Sequence, residues 1–354
     1  MIKINVTDCI PGMILARPIY HNGFVILLEK NTVLTSDYIN RIRNMGISEI
    51  YIEDDCSKDI IPNDLVKDST RIEAVTYVKN VMEQYSATYS VYTKELLEVI
   101  NTIIDDIFSN EHIILNIMDI KNCDDYTFSH CVNVAVLSIA TGLMLGLSRN
   151  ALVELGIGAI LHDIGKIMIP EEILKKNSSL TDGEYEIIKQ HSRLGYEILS
   201  KIPNISQASA RVALSHHERM DGRGYPNGEF EGDIHIYSKI VAITDVFDAL
   251  TSDRIYRKKI SNAQAIEYIT GIARPTFDNT VLLSFLRIVP PYPVGTVVKL
   301  SNGDKGIVQH VREDCPTRPV VRIVYNADGS KKSYYAELDL LQHTDISIVE
   351  FINI

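Results

Sequence analysis

The chain has 354 residues, 45% of them apolar and 23% charged, with a formal net charge of −11. That length supports two or three domains with a substantial core, and the acidic balance argues against a binder of duplex nucleic acid, which needs a basic face. The five cysteines are scattered and form no CxxC pair, which argues against a closed thiolate zinc site and reads as reduced thiols in a cytoplasmic protein. Residues 1–12 hold no apolar run, so no signal peptide is expected. The apolar stretch Val132–Leu147 contains Asn133, Ser138 and Thr141 and is too short to span a bilayer; no membrane insertion is expected.

Residues 1–65 read as a small α/β module with a docking or regulatory role. A buried strand is expected at Phe24–Leu28, a helix at Ser36–Met45 and an alternating strand at Ile47–Ile52. Residues 66–113 read as a long helical linker. Thr70 and Glu73 have capping-box spacing, and apolar residues recur from Ile72, Val75 and Val78 to Val99, Ile103 and Ile107. The pattern fits one helix, or two broken near Ser90. It serves equally for packing onto the next domain or for a coil joining a homodimer.

Residues 114–290 are patterned as an all-helical domain. Its main segments are Phe128–Leu147, Ala151–His162, Thr181–Leu199, Ile205–Glu218 and Ser238–Leu250, with a second capping box at Thr181–Glu184. In residues 291–354 the period becomes alternating, with tight turns at Asn302-Gly303 and Asp328-Gly329. A small antiparallel β module, barrel-like, is expected. The fold class is therefore mainly α: an all-helical domain between a small N-terminal α/β module and a small C-terminal β module.

Chemistry concentrates in the helical domain. Five of the ten histidines, His130, His162, His191, His216 and His217, lie beside apolar helical runs, together with Asp163 and Asp245. One such histidine would read as a hydrogen-bonded core residue; seven charged or ligating groups in a core need a partner. Imidazole and carboxylate together suit a divalent first-row metal such as iron, manganese or zinc. Asp163, adjacent to His162, can bridge two ions roughly 3.5–4 Å apart, the spacing of two-metal hydrolases. Lys166 lies four residues after His162 on the expected helix face and can hold a phosphate or protonate a leaving oxygen. The loop Asp221–Gly228 offers Gly222 and Gly224 for close backbone approach, and Tyr225, followed by Pro226, as a stacking face for a base. Arg254 and Arg257 follow Asp245 and could clamp a phosphate.

In order along the chain, His162-Asp163 with Gly165-Lys166, then His216-His217-Glu218, then Asp221-Gly222-x-Gly224-Tyr225-Pro226 resemble the HD-GYP phosphodiesterases. The spacing of His130 and His191 and the run Asp245–Arg254 fit as well. The resemblance covers about residues 115–290. It implies an HD-type helical fold and two divalent ions, iron or manganese. One ion would be held by His130, His162, Asp163 and Asp245, the other by Asp163, His191, His216 and His217. It further implies a catalytic Lys166, phosphate contacts from Arg254 and Arg257, and Tyr225 lining the pocket. Some members carry a glutamate four residues before the first histidine that helps hold a third metal; Tyr126 stands there, so two ions are expected. The expected activity is hydrolysis of cyclic di-GMP to pGpG, GMP or both through a metal-bridging hydroxide. The alternatives are a phosphodiesterase for 3′,3′-cyclic GMP-AMP, and a non-hydrolytic cyclic dinucleotide sensor.

Overall fold

The computed structural model describes residues 1–352 apart from 22–24, 63, 89–90, 92, 111–125, 177 and 253–258. Two compact units are present.

The first unit combines both chain ends. Strand β1 (Ile2–Asn5) pairs antiparallel with β4 (Glu49–Ile52), β2 (Ile19–His21) pairs with β3 (Val25–Leu28), and α1 (Ser36–Asn44) is capped by the Thr35 hydroxyl. The expected strand is present as β3 but is not a buried one. It belongs to a two-stranded ribbon, and Ile26 is 49% exposed. From the C-terminal end come β5 (Val297–Leu300), β6 (Lys305–His310), β7 (Val320–Tyr325), β8 (Lys331–Asp339) and β9 (Ile348–Phe351), all antiparallel in the order β8-β7-β6-β5-β9. Among the described residues β8 and β9 stand at the edges of this order, so strand pairing does not close the sheet into the expected barrel. Gly303 and Gly329 take positive φ in its turns, as the Asn-Gly and Asp-Gly pairs predicted.

Side chains alternate across a strand, and in this sheet both faces find apolar partners. Val297, Ile307 and Val324 join a core with Ile4, Leu15, Ile42 and Ile60 of the N-terminal module, while Val298, Val308, Val321 and Ile323 build a second core. Arg322 adds a polar tie through Asp59, with hydrogen bonds of 2.5 and 2.6 Å, and donates to the Cys56 carbonyl at 3.1 Å.

The second unit is helical: α2 (Asp68–Thr88), α3 (Thr93–Phe108), α4 (Tyr126–Met144), α5 (Arg149–Ile160), α6 (Glu171–Leu174), α7 (Asp182–Leu199), α8 (Gln207–Ser215), α9 (Ile236–Thr251), α10 (Asn262–Thr276) and α11 (Asn279–Ile288). Helix α4 is its centre, packed against α2, α5, α9 and α11. Its window Thr127–Met144 is long and apolar enough to cross a membrane by composition, and 67% of it is buried within the unit. Leu137 and Ile139 are fully buried there, each contributing about 1.5–3 kcal/mol by leaving water.

The linker pattern resolves into two helices, and the apolar row Leu96, Val99, Ile100, Ile103, Ile104 and Ile107 is buried inside this unit. The two capping boxes fare differently. At Thr181 the box forms: its hydroxyl accepts from the Glu184 amide at 3.3 Å, and the Glu184 carboxylate accepts from the Thr181 amide at 2.7 Å. At Thr70 it does not, because α2 already starts at Asp68; the Thr70 hydroxyl instead donates to buried Asp106 of α3 at 2.7 Å.

Candidate metal centre

Helix α5 ends at Ile160 and a 3-10 turn follows over Ile164–Met168, so His162 and Asp163 lie at a helix terminus rather than within a helix. Lys166 accordingly meets Asp163 across three residues of that tight turn and does not share a helix face with His162. The turn can sit flush on α7 because residue 165 is glycine: a Cβ there would lie 2.0 Å from the His191 carbonyl oxygen and 2.5 Å from the Gly195 nitrogen. This close approach brings Asp163 next to His191.

All seven expected ligand residues converge. His130 comes from α4, His191 from α7, and His216 and His217 from the end of α8; Asp245 comes from α9. Three triads each have their ligand atoms within 4.8 Å of one another: His130 with His162 and Asp245, His162 with Asp163 and His216, and His191 with His216 and His217. Asp163 sits between the sets. Its Oδ2 is 3.9 Å from His130 Nε2 and 3.4 Å from His162 Nε2, and its Oδ1 is 3.5 Å from His191 Nε2 and 4.0 Å from His216 Nε2.

The ring orientations are fixed from behind. Nδ1 of His162 lies 2.7 Å from the Ala159 carbonyl, that of His191 2.6 Å from Ile188, and that of His216 3.0 Å from Val212. A carbonyl only accepts, so each Nδ1 carries the proton and each Nε2 presents a lone pair. His162 Nε2 is buried without a hydrogen-bond partner. A buried acceptor of this kind is costly, and a cation at that point would satisfy it. Outer hydrogen bonds to backbone carbonyls are also what metal-ligating imidazoles use. The residues present therefore fit one or more divalent cations.

Electrostatics agree. Burial lowers the imidazoles of His191 and His216, and lowers His217 to about 3, which keeps all three neutral. Burial would raise Asp163, but Lys166 and His162 hold it well below the usual carboxylate range; Asp245 is held low in the same way by His130. His130 behaves differently. Burial would lower it, yet Asp245 at 3.1 Å and Asp248 at 2.7 Å hold it up at about 9. Lys166 hydrogen-bonds Asp163 while its side chain stays 31% exposed.

The glycine loop has a structural anchor that the sequence reading named without a role. Glu218, 4% exposed, accepts hydrogen bonds from the amides of Asn227 at 2.8 Å and Glu229 at 3.0 Å. Gly222 takes φ +73°, and a Cβ on Gly224 would lie 2.4–2.6 Å from the backbone of His217, Glu218 and Arg219. The glycines thus serve the packing of the loop onto its own root. Tyr225, followed by Pro226, lays its ring 4.6 Å from that of His217 and also has Lys189 Nζ 5.5 Å from its centroid. Its ring is engaged with a candidate ligand as well as being placed near the site. Arg254, Arg257 and the side chain of Tyr126 lie outside the described residues.

Asp248 falls in the run Asp245–Arg254, to which the sequence reading gave no role beyond Asp245 and Arg254, and Asn133 was missed as a contributor. Asp248 is fully buried and accepts from His130 Nδ1 and, at 2.9 Å, from Asn133 Nδ2. Helical spacing was the available signal: each lies three residues from a ligand, Asp245 and His130, on the same helix face.

Comparison with known proteins follows this geometry. A family model described as HD domain matches residues 120–281, and a second, described as KOW domain associated with HD domain, matches residues 297–354. The chain is similar to a cyclic di-GMP phosphodiesterase of Pseudomonas aeruginosa, 33% identical over 238 residues, covering 67% of this chain and 57% of that protein. It is similar to a cyclic di-GMP phosphodiesterase of Thermotoga maritima, 35% identical over 215 residues, covering 59% of this chain and 58% of that protein. A 3′3′-cGAMP-specific phosphodiesterase of Vibrio cholerae is 38% identical over 158 residues, covering 45% of this chain and 36% of that protein. The chain thus spans a little over half the length of the first two relatives. Residues 120–281 thus match the HD domain family, and the motifs they carry are those that resemble the HD-GYP phosphodiesterases.

Proposed function

We propose that the chain is a metal-dependent cyclic dinucleotide phosphodiesterase that hydrolyses cyclic di-GMP to pGpG, GMP or both. One observation carries this reading: four buried imidazoles, the half-buried His217 and the carboxylates of Asp163 and Asp245 converge, with His162 Nε2 left for a ligand. In this reading His130, His162, Asp163 and Asp245 hold one divalent cation, and Asp163, His191, His216 and His217 hold another, iron or manganese. Such cations supply Lewis acidity for attack of water on phosphorus.

The chain's own residues do the rest. The backbone-anchored histidines keep their lone pairs aimed inward without reorganisation. Lys166, charged and partly exposed beside Asp163, donates to a non-bridging phosphate oxygen or to the departing ribose oxygen. The Tyr225 loop, pinned by Glu218, closes one side of the site. Arg254 and Arg257 remain the proposed phosphate contacts, as the sequence resemblance implies.

The similarity to a cGAMP-specific phosphodiesterase favours one second reading, 3′,3′-cyclic GMP-AMP as the substrate. Full-length protein loaded anaerobically with Mn²⁺ or Fe²⁺ is incubated with both cyclic dinucleotides in competition, and products are resolved by chromatography. Linear pGpG or GMP from cyclic di-GMP is expected. Preferential loss of the mixed dinucleotide would establish the second reading, and binding without turnover would establish a sensor.

A further inference from the structure

Behind His130 a directed line of hydrogen bonds runs away from the centre. His130 Nδ1 donates to Asp248 Oδ2 at 2.7 Å. Asp248 Oδ1 accepts from Asn133 Nδ2 at 2.9 Å. Asn133 Oδ1 accepts from Arg71 NH1 at 2.9 Å. Arg71 lies in the first turns of α2, outside the residues matched by the HD domain model, and is 3% exposed.

The polarity of this line has only one consistent assignment. A guanidinium only donates, so it fixes the oxygen of the Asn133 amide toward itself and the NH₂ group toward Asp248. Asp248 only accepts, so His130 must donate through Nδ1 and present Nε2 to Asp245. A flipped Asn133 would face its oxygen to a buried carboxylate, which the Arg71 contact prevents. The guanidinium also supplies positive charge two links from Asp248, in an interior where a buried carboxylate is costly without compensation.

We infer that Arg71 is a positioning residue for the metal centre, acting through Asn133 and Asp248 on His130, so that metal affinity depends on how α2 is seated. This rests on the metal-centre reading above and extends it to a helix that the chain enters directly from its N-terminal module. Any change in α2 that withdraws Arg71 would loosen the His130 side of the centre and leave the backbone-anchored histidines His191 and His216 in place.

The test uses the full chain and Mn²⁺ alone, followed by calorimetric titration, with kcat and KM for cyclic di-GMP measured in parallel. Second-layer partners of metal-binding histidines are worth about 10–100-fold in affinity, so Arg71→Met should weaken Mn²⁺ binding on the order of tenfold. Arg71→Lys should recover most of that loss. Activity at limiting Mn²⁺ should fall and be restored by excess metal, with KM unchanged. Asn133→Ala cuts the same line one link closer and must behave alike, which decides the matter if Arg71→Met does not fold. Thr70→Val is the structural control: it removes the buried hydrogen bond from the same turn of α2 to Asp106 but lies off the line. It should lower Tm and leave Mn²⁺ affinity unchanged. Arg71→Met binding Mn²⁺ as tightly as wild type, or Thr70→Val weakening it as much as Arg71→Met, would overturn the proposal. Wild-type protein that took up no Mn²⁺ would overturn the metal-centre reading itself.

Discussion

In the unit built from the two chain ends, the buried guanidinium of Arg322 meets Asp59 through two hydrogen bonds, so donor and acceptor are matched side by side. In the helical unit, Asp163 and Asp245 are buried beside five histidines: His130, His162, His191 and His216 turn Nε2 toward Asp163, His217 offers Nδ1 to Asp245, and His162 Nε2 has no hydrogen-bond partner. Both arrangements bury charge. The first is complete as it stands, and its neighbours are apolar residues of one shared core. The second gathers more acceptors than donors at one point, which costs stability unless a cation is bound. Burial of charge therefore does not by itself mark a site. An imbalance of lone pairs, each aimed by a hydrogen bond from behind, does.

The sharpest way to break this contrast is Asp163→Ala, which removes the carboxylate that lies within 4.0 Å of His130, His162, His191 and His216. Turnover of cyclic di-GMP should fall on the order of 10³-fold and bound metal should drop by elemental analysis; wild-type metal content would end the bridging assignment. Lys166→Ala separates chemistry from binding: turnover should slow about 10²-fold with metal content retained, and an unchanged rate would remove the ammonium from the mechanism. Metal removal tests the imbalance directly. At free Mn²⁺ near 100 times Kd, binding should add about 2.7 kcal/mol of stability. Hydrogen exchange should then slow in residues 159–166, 188–191 and 212–217 and stay unchanged in 297–325; equal slowing in both units would blur the distinction.

Gly165→Ala probes the packing that brings the turn to α7. A Cβ directed at the His191 carbonyl should cost about 1–3 kcal/mol in urea unfolding and weaken Mn²⁺ binding, since His191 must shift. Asp59→Asn is the smallest expected change. Its carboxylate is 65% exposed, so losing the pair should cost no more than about 1 kcal/mol, with Mn²⁺ affinity untouched. The Arg322 guanidinium holds Asp59 down at about 2 from an ordinary 3.8. Its contribution is therefore complete above about pH 4 and lost as the pH falls through about 2, and the variant should remove that acid step from the first unit.

Much of the site was legible because ligating side chains inside apolar helices are out of place: His130, His191 and Asp245 announce themselves by their neighbours. The backbone around Asp163 was less legible. Helical periodicity carries through Ile160 and gives no sign that the helix stops there; only the contact of Gly165 with α7 shows it. The Arg71 link could not be read, since 62 residues separate it from Asn133 and no local pattern ties them. Thr70 and Thr181 carry the same capping signal, and only tertiary context tells them apart: Asp106 takes the Thr70 hydroxyl. Strand alternation located β5 to β8, but the barrel-like closure expected from it could not be read, because closure depends on which edges pair.

The Glu218 anchor has a mechanical consequence. The segment Asn227–Glu229 hangs by two amides from a carboxylate one peptide bond away from His217. A ligand pushing against Tyr225 therefore strains the chain at its attachment point, and that point carries a candidate metal ligand. Glu218 thus ties the hold on the loop to the backbone that sets the position of His217.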